Sequence, residues 1–430
     1  MDFIQGESRD QLFMMDLESF VTPNSWARIV DWFVDALPMD DLGFKEVHAD
    51  EGRPPYKASD LLKLLMYGYK KGVRSSRKLE EACRINIEVM WLMRRLQPSA
   101  RKIAYFRKDN PKAFKQAFRY FVLVLKKWDL IDGETIAIDS FKIRAQNSLK
   151  NNFNQKKIDR QLEYIDNKIA EFEAELDKNE ELDSSEKEDI QSKIKQQQKR
   201  RKEYKKVEKQ LEDSGESQLS TTDPDAKSVV LHRNVVNVGY NVQAGCDSKH
   251  KLFVNNDTGS VNDTHALADM ALDAKELLGV EKMDCITDKG YTTGVHIDTC
   301  IKNGITTYSS PKHHSSMDNG LYDMQIFVYD KSCDTYTCPA GFVMQGGGMI
   351  YKKRNHRVKR YTTKNCKDCK LRPKCTANKK GRIIERSIYQ EALEENEKRV
   401  KSNPDYYRQR QQITEHQFGT LKRHRVSLKL

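Results

Sequence analysis

Long apolar runs are absent. No segment carries about 18 uninterrupted apolar residues, the length a membrane-crossing helix needs, and the first residues, MDFIQGESRD, have neither the basic stretch nor the apolar core of a secretory leader. A soluble, cytoplasmic protein with no membrane partner is the expectation. The cysteines number nine, an odd count that in a leaderless chain argues against a disulfide framework. Acid is scarce where base is dense: residues 351–386 hold 15 Lys or Arg against only Asp368 and Glu385. With 75 Lys plus Arg against 63 Asp plus Glu, the net charge is +12, which favours a polyanion over an acidic small molecule. A bare charge run is more often a solvated loop, so the charge alone does not decide the matter.

A chain of 430 residues is long enough for two or three folding units. Residues 1–130 read as helical, because stretches such as ASDLLKLLMYGYKKG and AFKQAFRYFVLVLKKWDL repeat apolar residues at three and four. The basic segment SSRKLEEACRINIEVMWLMRRL makes a helical DNA-binding domain one reading and a plain helical bundle the other. TIAIDSFKIRA then reads as a strand at 135–139 that ends in a carboxylate, with Lys142 and Arg144 behind it. From about 150 to 222 an insertion interrupts the strands. Ile158, Leu162, Ile165, Ile169, Phe172 and Leu176 are spaced as a coiled-coil seam, and a second helix carries Ile190, Ile194, Tyr204, Val207 and Leu211. The spacing predicts an antiparallel helical hairpin, its seam interrupted by Gln197 and Arg201. Strands resume at VVNVGYNVQAGCD and KLFVNND and then alternate with helices, so 131–330 is expected to be one mixed α/β domain.

The strand-then-carboxylate pattern of TIAID recurs at CITDKGY, where Asp288 leaves a short strand two residues before a glycine. Ligands of α/β sheets gather at the carboxyl ends of strands, and two acids brought together there suit a hard cation such as Mg²⁺. Either Asp taken singly is as well explained as a turn or cap residue. A third acid is available in YYRQRQQITEHQFGTLKRHR, read as a helix within 387–430. Tyr407, Arg410, Glu415 and Lys422 lie on it, and Glu415 sits at the margin of an apolar stripe of Ile413, Phe418 and Leu421. NDTHAL offers Asn262, Asp263 and His265, but a helix cap accounts for Asp263. His313 and His314 are adjacent on an extended segment and point opposite ways. Both segments are left out of the site.

AIDSFKIRA, ITDKGY and YRQRQQITEHQFGTLK together resemble the DDE transposases of bacterial insertion sequences. The likeness extends over nearly the whole chain and implies an RNase H-like core. It implies that Asp139, Asp288 and Glu415 bind Mg²⁺ or Mn²⁺, as two ions about 3.5 to 4 Å apart that drive an in-line displacement at phosphorus. Tyr407, Arg410 and Lys422 match the family's helix signature, which places them against DNA phosphates, although Arg410 precedes Glu415 by five residues rather than four. Ser140 stands where relatives often have glycine. The implied partners are double-stranded DNA, as element ends and target, and a second copy of the chain on that DNA, at the nucleoid.

The segment 331–386 places Cys338 ahead of Cys366, Cys369 and Cys375, thiols in two clusters that suit a tetrahedral structural zinc. Cys333 competes as a ligand and His356 lies between. Reduced thiols in a small subdomain are the alternative. Eleven of the 15 basic residues fall between Lys352 and Lys374, where a zinc-pinned loop would hold them toward DNA. Two rivals to transposition remain: an RNase H-like nuclease that never joins ends, and an inactive DNA-binding remnant, since the sequence stops eight residues after Lys422.

Overall fold

The computed structural model describes residues 16–45, 54–145, 147–178, 183–232, 235–258, 262–311, 320–353 and 356–421. Lys422, His313 and His314 lie outside the described residues. By their internal contacts the residues divide into two units, Met1–Trp128 and Asp129–Leu430. No described helix is long and apolar enough to cross a membrane.

The first unit contains the helices Trp26–Asp35 (α1), Ala58–Lys70 (α2), Ser76–Ile85 (α3), Ile87–Leu92 (α4), Ala100–Asp109 (α5) and Pro111–Lys127 (α6). Ser25 caps α1, Asn86 caps α4 and Ser99 caps α5, each accepting from a backbone N–H of the first turn. One core of Val30, Val34, Leu61, Leu64, Leu65 and Ile103, among others, joins these helices. Lys63 is buried on α2 and is held by two carboxylates, those of Asp31 and Asp35, each at 2.6 Å. A lysine ammonium taken from water is tolerated only with such partners.

The second unit begins with a strand, Thr135–Arg144 (β1), and then a short one, Asn152–Phe153 (β2). Helices Gln155–Lys178 (α7) and Ser184–Ser214 (α8) follow, and then strands Leu219–Ser220 (β3), Lys227–His232 (β4), Val235–Asp247 (β5) and Phe253–Asp257 (β6). Helix Leu267–Leu278 (α9), strand Met283–Thr287 (β7), helix Gly294–Lys302 (α10) and strand Ile305–Ser309 (β8) complete a mixed sheet. Its order is β4-β5-β1-β7-β8, with β6 also paired to β5; β1 runs antiparallel to β5 and parallel to β7, and β7 runs parallel to β8.

Two physical points fix how this sheet is covered. Ile136, Ala137 and Ile138 of β1 are all wholly buried, as expected of a central strand packed on both faces. Side chains alternate along β1, so Ala137, Asp139 and Phe141 point one way and Ile136 and Ile138 the other. The last helix, Pro404–Thr420, packs on the Ala137 face through Ile413 and Phe418. On the opposite face Asn255 of β6, whose Oδ1 crowds Gly245 beside Ile136, donates to the carbonyl of Met270 on α9.

β1 does not stop at Asp139, as the sequence reading expects. It continues to Arg144, because the 13-residue β5 pairs with it from Ile136↔Asp247 to Arg144↔Gly239. Asp139 therefore sits in mid-strand, and Ser140 is an in-line strand residue rather than part of a turn.

The hairpin between β2 and β3 is α7 against α8, with Ile158, Leu162 and Leu211 at its buried end. Asp183 and Glu186 form a reciprocal capping box at the start of α8, and Gly215, with φ 64°, terminates it. Arg201, an interruption of the seam, pairs across the hairpin with Asp166 at 2.7 Å.

A second, antiparallel sheet contains Val328–Asp330 (β9), Thr335–Thr337 (β10), Val343–Lys353 (β11), His356–Thr362 (β12) and Ile384–Ser387 (β13), in order β13-β12-β11-β10-β9. The first part of the basic run lies on β11 and β12, and the part between β12 and β13 is turn and short helix. Its core is Phe327, Tyr336, Met344, Tyr361 and Ile384. A one-turn helix, Arg372–Cys375 (α11), lies between β12 and β13, and Gln390–Ser402 (α12) leads into Pro404–Thr420 (α13).

Candidate active site

Asp139 and Asp288 come together because β1 and β7 are parallel neighbours. Their pairing ends at Ile138↔Thr287, so the next residue on each strand is an aspartate. Beyond that point β7 gives way to a 3-10 turn, Lys289–Tyr291, which Asp288 caps by accepting from Gly290 N at 2.7 Å. The cap reading of Asp288 holds, and its second carboxylate oxygen is not used by the cap.

The carboxylate of Asp139 is held from α13. Arg410 Nη1 donates to Asp139 Oδ2 at 2.6 Å and Thr414 Oγ1 stands 3.4 Å from the same oxygen, while Oδ1 accepts from Ser140 N at 2.8 Å. Arg410 and Thr414 are one helical turn apart and so share a face. The helix is fixed at both ends of this contact. Tyr406 Oη donates to Asp284 Oδ2 at 2.8 Å and lies 2.7 Å from Thr135 Oγ1, and Phe418 packs 5.0 Å from Phe141, centroid to centroid. Burial raises the Asp139 carboxyl above the usual range; the Ser140 amide and Arg410 pull it back, while the fields of Asp288 and Asp263 push it up again.

That last residue is the one the sequence reading missed. The cap of the turn at 263–265 is Asn262, whose side chain accepts from Thr264 N, and Asp263 is free to point elsewhere. Its Oδ1 accepts from Asn241 Nδ2 at 3.0 Å and from Gln243 Nε2 at 2.8 Å, both on β5. Tyr291, completely buried beneath the turn after β7, donates to Gln243 Oε1, and burial together with the three aspartates holds its phenol far above the usual range. A signal was present: Asn241 and Gln243 alternate in YNVQAG, two amides on one face of the strand.

The other expected residues distribute as follows. Glu415, one position past Thr414, is exposed on α13. Tyr407 is half-buried, and it is Tyr406 whose hydroxyl reaches the sheet. Among the described residues, no three of His, Cys, Asp and Glu are arranged to hold a metal ion. Cys338, Cys366, Cys369 and Cys375 all line one small cavity beside the second sheet, together with Phe327 and Arg382. Burial raises the Cys375 thiol, and the other three cysteines add to the shift. Cys333 is exposed and its Sγ lies 3.6 Å from Ser332 Oγ, outside that lining.

Two stretches of the chain match known families. Residues 15–109 match a transposase domain (DUF772), and residues 337–428 match a transposase DDE domain. Both matches support a DDE transposase, a family whose members carry out DNA phosphoryl transfer and generally use a divalent metal such as Mg²⁺. A cryo-EM structure of piggyBac transposase, in a synaptic complex with hairpin DNA, is similar over 89% of this chain and 68% of that chain, at 9% identity and a TM-score of 0.27. A score that low supports no comparison of geometry. No curated protein matches the chain significantly.

The donor chemistry fits a hard cation. Asp139, Asp288 and Asp263 offer carboxylate oxygens, and Arg410 is the one cation paired with any of them among the described residues. A surplus of negative charge next to a buried carboxyl is relieved by a divalent ion.

Proposed function

We propose that this chain is the transposase of an insertion sequence, binding the ends of its element, cutting there and joining the freed 3′ ends to target DNA. The observation that carries the reading is the pair Asp139 and Asp288 at matched positions of adjacent parallel strands, in a sheet where β6 pairs with β5, β5 with β1, β1 with β7 and β7 with β8, while β4 pairs with β5 as well. Three antiparallel strands followed by two parallel ones is the topology expected of an RNase H-like core.

In this reading Asp139 and Asp288 hold the divalent ions, and Glu415 is the third acid. The ions supply activation of water or a 3′-hydroxyl and stabilisation of the departing oxygen. Arg410 orients Asp139 through its 2.6 Å contact, and Thr414 limits where that carboxylate can swing. Tyr407 and Lys422 are the remaining phosphate contacts of the proposal, and the basic strands β11 and β12 extend the DNA-facing surface. The four cysteines of one cavity support a structural zinc with thiolate ligands. Two chains on paired ends form the working assembly.

The test uses the full chain with labelled DNA carrying the sequences that flank its gene. Strand-transfer products are expected with Mg²⁺ or Mn²⁺, and Asp139→Asn, Asp288→Asn and Glu415→Gln are each expected to abolish cleavage while leaving end binding intact. Hydrolysis products without joined products would identify a nuclease instead. Binding without metal-dependent cleavage would identify an inactive remnant.

A further inference from the structure

Asp263 approaches Asp288 in a way that its hydrogen bonds do not explain. Its Oδ1 takes both amide donors, from Asn241 and Gln243, and its Oδ2 accepts from no described residue. Gly290 marks where that second oxygen lies. A Cβ at Gly290 would stand 2.9 Å from Asp288 Oδ1 and 3.4 Å from Asp263 Oδ2, so the two carboxylates flank one glycine whose missing side chain leaves the space between them open.

A second observation is independent of the acids. Asn241 is 2% exposed, and its Oδ1 is buried with no hydrogen-bond partner. The amide cannot be turned over to cure this, because its Nδ2 must face the Asp263 carboxylate, which accepts only. An acceptor left bare in this way costs roughly 1–3 kcal/mol, and a water or ion is one kind of partner that relieves it. Asn241 pairs with Lys142, and Gln243 with Ser140, so both amides lie on the Ser140 face of β1, opposite to Asp139. The β1–β7 pairing ends at Ile138, and the turn carrying Asp288 and Gly290 starts at that edge, with Asp263 beside Gly290.

We propose that Asp263 is a further metal ligand of the active site, binding a divalent cation through Oδ2 jointly with Asp288, with Asn241 Oδ1 accepting from a water of that cation's shell. The inference rests on the reading that Asp139 and Asp288 hold divalent metal. It gives the site a third carboxylate from the β6–α9 connection, in addition to anything α13 contributes.

The experiment measures Mn²⁺ binding to the metal-free full chain by the electron paramagnetic resonance of free Mn²⁺, with thermal unfolding of the same samples. Loss of an outer partner of a metal ligand already costs about 10–100-fold in affinity, so Asp263→Asn is expected to weaken Mn²⁺ binding at least about tenfold, as Asp288→Asn does. Its metal-free unfolding temperature is expected to hold or rise, because the amide keeps an acceptor for Asn241 and Gln243 while one negative charge is removed. A fall in that temperature with Mn²⁺ affinity unchanged would make Asp263 a structural residue and overturn the proposal. If the wild-type chain binds no Mn²⁺, or Asp139→Asn and Asp288→Asn bind it as wild type does, the metal reading itself fails. If those two weaken binding and Asp263→Asn does not, only the present inference fails. Should Asp263→Asn not fold, Fe²⁺ with ascorbate on the wild-type chain is expected to cut the backbone near residues 263 and 288, competed away by Mg²⁺. No cut near 263 would overturn the proposal without any variant.

Discussion

Removing Arg410 tests whether α13 is held against the sheet by the active-site charge. The Arg410 and Asp139 side chains are 15% and 19% exposed, and their contact is 2.6 Å. Breaking a fully buried pair costs about 3–5 kcal/mol and an exposed one about 0.2–1, so Arg410→Ala at this depth is expected to cost about 2 kcal/mol. At roughly 2 °C per kcal/mol for a unit of this size, the 129–430 transition should fall by about 4 °C. The pH dependence has a definite sign. The folded Asp139 carboxyl already titrates above its ordinary 3.8, so its protonated form favours folding below 3.8, and that contribution is lost as pH rises through the folded value. Without Arg410 the folded value moves higher still, so the deficit of Arg410→Ala should grow from pH 4 to pH 7.5. Asp139→Asn in the same background should recover most of it, with a coupling of about 1.5–2 kcal/mol in the double-mutant cycle. The assay is thermal or urea unfolding of the four chains in metal-free buffer. A deficit below about 0.5 kcal/mol at pH 7.5, or a cycle that closes additively, would refute the pairing.

Phe418→Ala removes the ring that packs against Phe141 at 5.0 Å and Phe253 at 6.3 Å, and is expected to cost about 3–5 kcal/mol and to release α13, seen as proteolysis within 404–421 ahead of the rest. Asp247 is wholly buried and its carboxyl is pushed up to about 6 by burial, against the Gly133 and Lys249 amides that it accepts from. Its contribution to folding is therefore present below 3.8 and lost as pH rises through about 6, and Asp247→Asn should be less harmful at pH 7.5 than at pH 5, read as the difference in unfolding temperature. If zinc occupies the cysteine cavity, the purified chain will contain one equivalent per chain by atomic emission, and Cys369→Ser will reduce it; a wild-type chain free of zinc that unfolds at the same temperature with added chelator would dismiss it.

What could be read from the residues followed from local periodicity. The helical first unit, the hairpin at α7 and α8 and the two strand–aspartate segments all announce themselves within a dozen residues. The extent of β1 did not, because nothing in SFKIRA says that β5 is long enough to pair past Asp139. Asp263 was misread for a related reason. Asp and Asn are equally good caps, and only the placement of β5 under the turn shows that Asn262 does the capping while Asp263 turns toward Asn241 and Gln243.

The residues by themselves determined the class of chemistry: carboxylates that follow short apolar runs, a helix rich in Arg and Tyr, thiols in two clusters and a basic surplus. Tertiary structure decided which of those groups meet. β1 and β7 lie side by side, so Asp139 and Asp288 share an edge although 149 positions separate their numbers. Arg410 and Thr414 reach Asp139 from α13, because Ile413 and Phe418 are the residues through which that helix packs on the sheet, while Glu415 beside them is exposed.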